Sequence, residues 1–153
     1  MYEDAETPGC YRIEILGSGN MWWNKIPWSS YRNTITSVEI NVENDNGYTL
    51  QSGAFSGFTA LKSVKIGEGL KVIAPNAFRD CRALETVELP SSLMSIESLA
   101  FSNCNMLKGV YGLKKVEKVG DRAFQNCVML ESIDGLENVY YYGNGVFANC
   151  QSL

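Results

Sequence analysis

Five cysteines are the side chains best suited to chemistry in this chain of 153 residues, which contains no histidine. Without an imidazole, Ser-His and Cys-His catalysis, imidazole metal ligands and histidine pH switches are all excluded. Structural zinc sites usually bring cysteines in close pairs such as Cys-x-x-Cys. Four cysteines are instead evenly spaced by 23 residues, at Cys81, Cys104, Cys127 and Cys150. We therefore expect no metal ion and no cofactor.

The evenly spaced cysteines occupy a position that accepts a large apolar side chain, because Phe58 lies one interval before Cys81. This pattern predicts buried free thiols. Stacked repeats would nevertheless bring neighbouring cysteine Cα atoms to about 5 Å, within disulfide reach, so one or two disulfides remain an alternative. Cys10 lies outside the series and is predicted to be a surface thiol.

Paired carboxylates are the remaining route to catalysis. Glu88 and Asp134 occupy equivalent positions two intervals apart, which corresponds to roughly 10 Å between stacked strands. Inverting glycosidases hold their carboxyl groups about 6.5–9.5 Å apart, and an open surface could not raise either pKa by burial. We therefore predict that the protein is not an enzyme. Residues 43–47, in which Glu43 and Asp45 are acidic, lack the acidic first position and the closing Glu of an EF-hand loop, which argues against calcium.

A repeat of 23 residues organises the chain and must position these side chains. An Ala-Phe pair recurs at residues 54–55, 77–78, 100–101 and 123–124, and becomes Val146-Phe147 in the last repeat. A leucine follows each pair at the same distance, at Leu61, Leu84, Leu107, Leu130 and Leu153. Such a constant interval, held in several apolar positions, indicates a solenoid.

Each repeat reads as one coil of this solenoid. Residues 84–89 alternate apolar and polar side chains, which predicts a half-buried strand, and residues 90–92 then form a turn. The spacing of Ala, Phe, Cys and Leu in the last part of the coil predicts one or two helical turns. The predicted fold class is therefore an α/β solenoid, with short parallel strands on one face and short helical turns on the other. Coil junctions fall near residues 61, 84, 107 and 130, and the last coil is incomplete.

The chain divides into an N-terminal segment, residues 1–34, and the repeats, residues 35–153. The segment reads as a hairpin that begins with a strand over residues 11–16 and continues into a turn over residues 17–20. All three tryptophans follow within seven residues, at Trp22, Trp23 and Trp28. We predict that they form an aromatic cap over the open end of the core. A platform of exposed tryptophans for binding glycans is the alternative.

The repeat resembles the BspA-type leucine-rich repeat, whose consensus Ala-Phe-x-x-Cys-x-x-Leu-x-x-Val-x-Ile/Leu recurs from residue 54 to residue 153. Residues 17–21 and 27–40 are also similar to the lead-in of many members of this family. The resemblance implies a secreted or cell-surface bacterial protein that acts in adhesion, binding host extracellular or cell-surface proteins, and is not an enzyme. The first eight residues are acidic and polar, so they do not form a signal peptide.

A polar strip on the strand face is the candidate binding site. In a solenoid, side chains of successive parallel strands align in ranks and form an extended surface. The predicted binding residues come from two such ranks and comprise Lys65, Thr86, Glu88, Tyr111, Ser132 and Asp134. Tyr111 is the expected anchor, because protein interfaces favour exposed tyrosine. The alternative is an ordinary polar surface on a structural spacer in the cell envelope.

Composition limits the other partners. A net charge of −4 and a pI near 4.9 argue against nucleic acid, and no stretch approaches the roughly 20 apolar residues of a membrane span. The basic cluster between Lys108 and Arg122 is interrupted by acidic residues, which is typical of a solvated face. Leu153 opens a repeat that is not completed, so we expect the C-terminal end to lack a cap and to allow end-to-end self-association.

Overall fold

The computed structural model describes residues 1–3, 11–18, 28–43 and 47–153 and contains two sheets joined coil by coil. The seven-stranded sheet has the order β1-β2-β3-β5-β7-β9-β11. Its strands are β1 (Tyr2–Glu3), β2 (Tyr11–Ser18), β3 (Ile35–Glu43), β5 (Ser63–Ile66), β7 (Thr86–Glu88), β9 (Gly109–Tyr111) and β11 (Ser132–Ile133). All neighbours are parallel except β1, which pairs antiparallel with β2.

The five-stranded sheet takes one strand from each coil, the strand after the turn, and all of its strands are parallel. Its strands are β4 (Tyr48–Leu50), β6 (Leu70–Ile73), β8 (Ser95–Ile96), β10 (Lys118–Val119) and β12 (Tyr141–Tyr142). In both sheets, residues one repeat apart are paired, as in Val64, Val87 and Val110. The predicted leucine-rich-repeat solenoid with parallel strands is therefore confirmed, with coils of about 23 residues and about 5 turns.

The α/β assignment is wrong for the side of the solenoid formed by the Ala-Phe-x-x-Cys segments. The helical turns predicted there are absent from the described residues. The 3-10 helix Ser29–Tyr31 is the one helical element there, and it precedes β3. The Ala-Phe-x-x-Cys segments instead form successive tight turns. Asn76, after Pro75, has a φ of 59°, and Asp80 has a φ of 61°, so the backbone is left-handed every fourth residue. A right-handed helix cannot continue through such residues.

The hydrogen bonds of these segments explain why turns replace helix. The amides of Ala77 and Cys81 donate within the coil, to the carbonyls three residues earlier, at 3.2 and 3.3 Å. The amides of Asn76, Phe78 and Asp80 donate to the next coil, at 3.1, 2.8 and 2.9 Å. Half of the backbone donors thus join neighbouring coils, whereas an α-helix would keep every donor within its own segment. The turns leave Ala, Phe, Cys and Leu on one face, so their spacing imitates a helix.

The core is built from columns of identical residues. Rings of five phenylalanines stack along the solenoid, with centroids 5.2 to 5.8 Å apart and interplanar angles of 6 to 14°. The stacked rings belong to Phe55, Phe78, Phe101, Phe124 and Phe147. Beside them, Cys81, Cys104 and Cys127 are buried and Cys150 is half-buried, and all four are free. The predicted free thiols are confirmed for this series, whereas Cys10 lies outside the described residues.

A polar ladder also joins the left-handed positions of successive coils. The amide of Asn103 donates to Asp80, Asn126 donates to Asn103, and Asn149 donates to Asn126, at 2.6, 2.6 and 2.8 Å. Asn and Asp tolerate the left-handed backbone, and their short side chains then point toward the neighbouring coil. The same Asn and Asp residues therefore both adopt the left-handed backbone of the turns and hydrogen-bond one coil to the next.

The N-terminal segment extends the seven-stranded sheet, because its strand β2 pairs with β3 of the first coil. β2 runs parallel to β3 from Tyr11 to Ser18, two residues into the turn expected after residue 16. β1 pairs antiparallel with the start of β2, whereas the predicted hairpin turns after β2, at residues 17–20. Residues 19–27 lie outside the described residues, so that hairpin stays a prediction. Trp28 stacks on Phe55 with centroids 5.4 Å apart, and it extends the aromatic column by one ring. The division at residue 34 stays a prediction.

Candidate functional site

The outer face of the seven-stranded sheet carries two ranks of side chains. Successive residues of a strand point to opposite faces, so every second residue faces solvent. One rank contains Glu39, Lys65, Glu88 and Tyr111, which are paired in register. The second rank runs beside it and contains Ser37, Ser63, Thr86, Gly109 and Ser132. Five of the six predicted residues lie in these ranks, all except Asp134, and their role in binding stays a prediction. We call these two ranks the strand-face strip.

The first half of the strand-face strip is a shallow polar depression of about 250 Å³. Lys65 and Glu88 line it and form an ion pair with Nζ and Oε2 3.9 Å apart. Arg12 pairs with Glu39 at the other end. The hydrogen bond from Asn41 lowers the pKa of Glu39, and the Arg12 guanidinium lowers it further against the opposing effect of burial. The charges in this depression are therefore mostly matched within the protein.

Arg12 and Glu39 extend the site beyond the predicted residues. Both occupy the strand-face strip because β2 and β3 continue the sheet on the N-terminal side of β5. The alternation of residues 11–16 predicts the strand that carries Arg12, but the repeat does not extend to it, so the sequence places it in a separate N-terminal segment. Parallel pairing of β2 with β3 could not be read from that alternation.

Tyr111 dominates the second half of the strand-face strip. Its side chain is 55% exposed, and its hydroxyl forms a 3.0 Å hydrogen bond with the hydroxyl of Ser132 on the next strand. The ring lies back over Gly109, where a Cβ atom would collide with the Tyr111 ring and hydroxyl. Neighbouring coils have Ser or Thr at the position of Gly109, so this glycine gives the ring its room. The side chain of Tyr111 is therefore held in one orientation by these contacts while much of it stays exposed.

Asp134 lies at the end of the predicted set. It follows β11, and its amide donates a 3.0 Å hydrogen bond to the carbonyl of Val110. Its side chain is exposed. Glu88 pairs with Lys65 rather than with Asp134. Within the described ranges, no three His, Cys, Asp or Glu side chains converge as metal ligands would.

Trp28 does not form the exposed platform that the glycan alternative requires. Its side chain is only 8% exposed, and its indole N–H donates a 3.2 Å hydrogen bond to the carbonyl of Ala54. A ring stacked on Phe55 and bonded to the first coil is part of the core. The other two tryptophans, Trp22 and Trp23, lie outside the described residues, as do residues 44–46 of the acidic stretch considered for calcium.

The four aligned thiols have low reactivity. Each Sγ donates a hydrogen bond of 3.1 to 3.2 Å to a phenylalanine carbonyl of the preceding coil. Burial raises the pKa of Cys81 and of Cys127 to about 12, and it raises the pKa of Cys104 well above its ordinary value. The thiolate is the nucleophile and metal ligand, so these cysteines are unsuited to either task.

Comparison with known proteins places the chain in a family. The model of the BspA type leucine rich repeat region matches residues 24–153 in 6 copies. The chain belongs to this family of repeat proteins, which generally act as protein-interaction modules and not as enzymes. The resemblance recognised from the repeat is therefore confirmed. No curated protein matches the chain.

Three solved bacterial proteins share the fold. A leucine-rich repeat protein of T. pallidum is 26% identical with a TM-score of 0.71, and the match covers 80% of this chain and 57% of that protein. A Bacteroides ovatus leucine-rich repeat protein is 21% identical with a TM-score of 0.70, over 93% of this chain and 35% of that one. A leucine-rich cell surface protein of Faecalibacterium prausnitzii is 21% identical with a TM-score of 0.66, over 99% and 50%. The chain therefore spans about a third to three fifths of their length.

Proposed function

We propose that the strand-face strip binds a protein ligand in adhesion at the cell surface, with Tyr111 as its anchor. The observation that carries the proposal is the fixed ring of Tyr111, which is 55% exposed and held by Ser132 over Gly109. An ordered aromatic side chain loses little conformational entropy when a partner packs on it. Binding energy in protein interfaces is concentrated in such aromatic anchors.

The remaining predicted residues provide the polar surroundings of this anchor. Lys65, Thr86 and Glu88 line the neighbouring depression, while Ser132 and Asp134 lie on the other side. Polar groups around a central aromatic residue exclude water and select the partner more than they add affinity. A host extracellular-matrix or cell-surface protein is the proposed partner.

A secreted or cell-surface location is part of the same proposal. It is supported by membership of the BspA-type family and by the description of the F. prausnitzii protein as a cell surface protein. No helix in the described part of the chain is long and apolar enough to cross a membrane.

Label-free binding to immobilised extracellular-matrix proteins, mucin and glycans tests the proposed function. We expect saturable binding to one protein. The Tyr111→Ser and Glu88→Lys double variant should weaken that binding about 30-fold or more, the effect of losing a single hot spot. Both side chains are exposed, so the variant should keep the thermal stability of the wild type.

Tyr141→Ser is the matched control, because Tyr141 is 47% exposed on the five-stranded sheet, away from the strand-face strip. This control should bind as the wild type does. Equal loss in both variants would refute the assigned site. A folded protein that binds no member of the panel would favour the structural spacer, and binding to glycans alone would favour the carbohydrate alternative.

A further inference from the structure

A groove on the five-stranded sheet gathers lysines from different coils. One residue per coil lines its floor, in the order Lys71, Met94, Glu117 and Tyr140. Backbone hydrogen bonds of 2.9 to 3.1 Å link each of these residues to the next. The turns add Lys114 and Lys115, and the groove has a volume of about 410 Å³. Lys71 is 43 residues away from Lys114 in the sequence, so only the stacking of coils brings them together. We call this surface the lysine groove.

Within the part of the chain that the structure describes, the three lysines of this groove have no ion-paired counterion, although Glu117 lines the same groove. The nearby Lys118 differs, since it bonds both oxygens of Glu97 at 3.0 and 3.2 Å. Three cations beside one carboxylate give a local positive charge on a chain whose net charge is −4. Charge of one sign in a cleft concentrates ligands of the other sign.

Apolar surface accompanies this charge. Met94 is 42% exposed and Tyr140 is 79% exposed, and both line the groove. Methionine adapts to varied partners, and exposed tyrosine contributes contact area at low entropic cost. A ligand that satisfies the whole surface needs carboxylates for the lysines and an apolar or aromatic side chain between them.

We propose that the lysine groove is a second binding site, which takes an acidic peptide segment with an apolar or aromatic residue flanked by carboxylates. A polyanionic glycan fits less well, because it would offer nothing apolar to Met94 and Tyr140. The site lies on a different sheet from Tyr111 and does not depend on the function proposed for the strand-face strip.

The test is an NMR titration of the whole chain with the peptide Asp-Glu-Phe-Asp-Glu at low salt, beside its uncharged form Asn-Gln-Phe-Asn-Gln. We expect saturable amide shifts at Lys71, Lys114 and Tyr140 with the acidic peptide only. Higher salt should weaken the binding, because exposed charges are screened. Replacement of the three lysines by glutamine should weaken it about tenfold, as three exposed ion pairs would.

A triple variant with the same loss of charge is the control. Lys62→Gln, Arg82→Gln and Lys108→Gln remove three exposed cations outside the groove, and binding should change less than twofold. The Tyr111→Ser and Glu88→Lys variant should bind the acidic peptide as the wild type does, which separates the two sites. Absence of saturable shifts, equal binding of the uncharged peptide, or tighter binding of a sulfated oligosaccharide in the groove would each overturn the proposal.

Discussion

Phe101→Ala is expected to lower the free energy of unfolding by about 3–5 kcal/mol, the usual cost of removing a fully buried phenylalanine. Phe101 has no exposed surface, and its ring stacks on Phe78 and Phe124 with centroids 5.2 and 5.4 Å apart. The substitution removes both ring contacts and leaves a cavity in the middle of the column. The turns on either side are hydrogen-bonded to their neighbours, so the coils cannot easily close on the cavity.

Urea denaturation followed by circular dichroism measures this loss. Phe147→Ala is the matched control, because Phe147 is only half-buried and, in the described column, stacks on Phe124 alone, at 5.8 Å. Its cost should be about half or less of that for Phe101. Equal losses at the two positions would show that stacking along the column does not determine stability.

Alkaline pH is expected to destabilise the protein through its buried thiols. The pKa of Cys81 and of Cys127 rises from an ordinary value of 9.0 to about 12 on burial. Between these values the unfolded thiols lose their protons while the folded ones keep them, so the folded state binds more protons. The free energy of unfolding then falls as pH rises. The contribution of each thiol is complete below pH 9 and decreases by about 2 kcal/mol by pH 10.5.

Thermal or urea unfolding at pH 7.5 and pH 10.5 tests this dependence. The Cys81→Ala and Cys127→Ala double variant should start less stable at pH 7.5 and lose about 4 kcal/mol less between the two pH values than the wild type does. Tyr48, whose burial raises its pKa to about 12, acts in the same direction in both proteins and cancels in the comparison. An identical pH dependence in the wild type and the variant would mean that thiol ionisation does not control alkaline stability.

The repeat made the core and the strand ranks predictable. A constant interval of 23 residues puts identical positions at the same place in every coil, so Val64 could be aligned with Val87 without knowledge of the turns. The same reasoning aligned Lys65, Glu88 and Tyr111 on the outer face. The ranks follow from the repeat length and from the alternation of side chains along each strand, and both can be read from the sequence.

The helical turns were predicted wrongly because spacing alone does not distinguish a helix from a series of turns. The decisive residues are Asn76 and Asp80, whose left-handed backbone interrupts any helix. Asn and Asp favour such positions, but Leu99 and Arg122 adopt them as well, with φ of 60° and 54°. Hydrogen bonds to the next coil stabilise these two residues in a conformation that their own side chains disfavour.

The sequence by itself determined the family, the coil length, the buried columns and the order of side chains along each strand rank, because all follow from one period. Tertiary structure decided which ranks continue into the N-terminal segment, how the ring of Tyr111 lies on Gly109, and which lysines share a groove. These features depend on contacts between coils. Lys71 and Lys114 are far apart in the chain and become neighbours only when the coils stack.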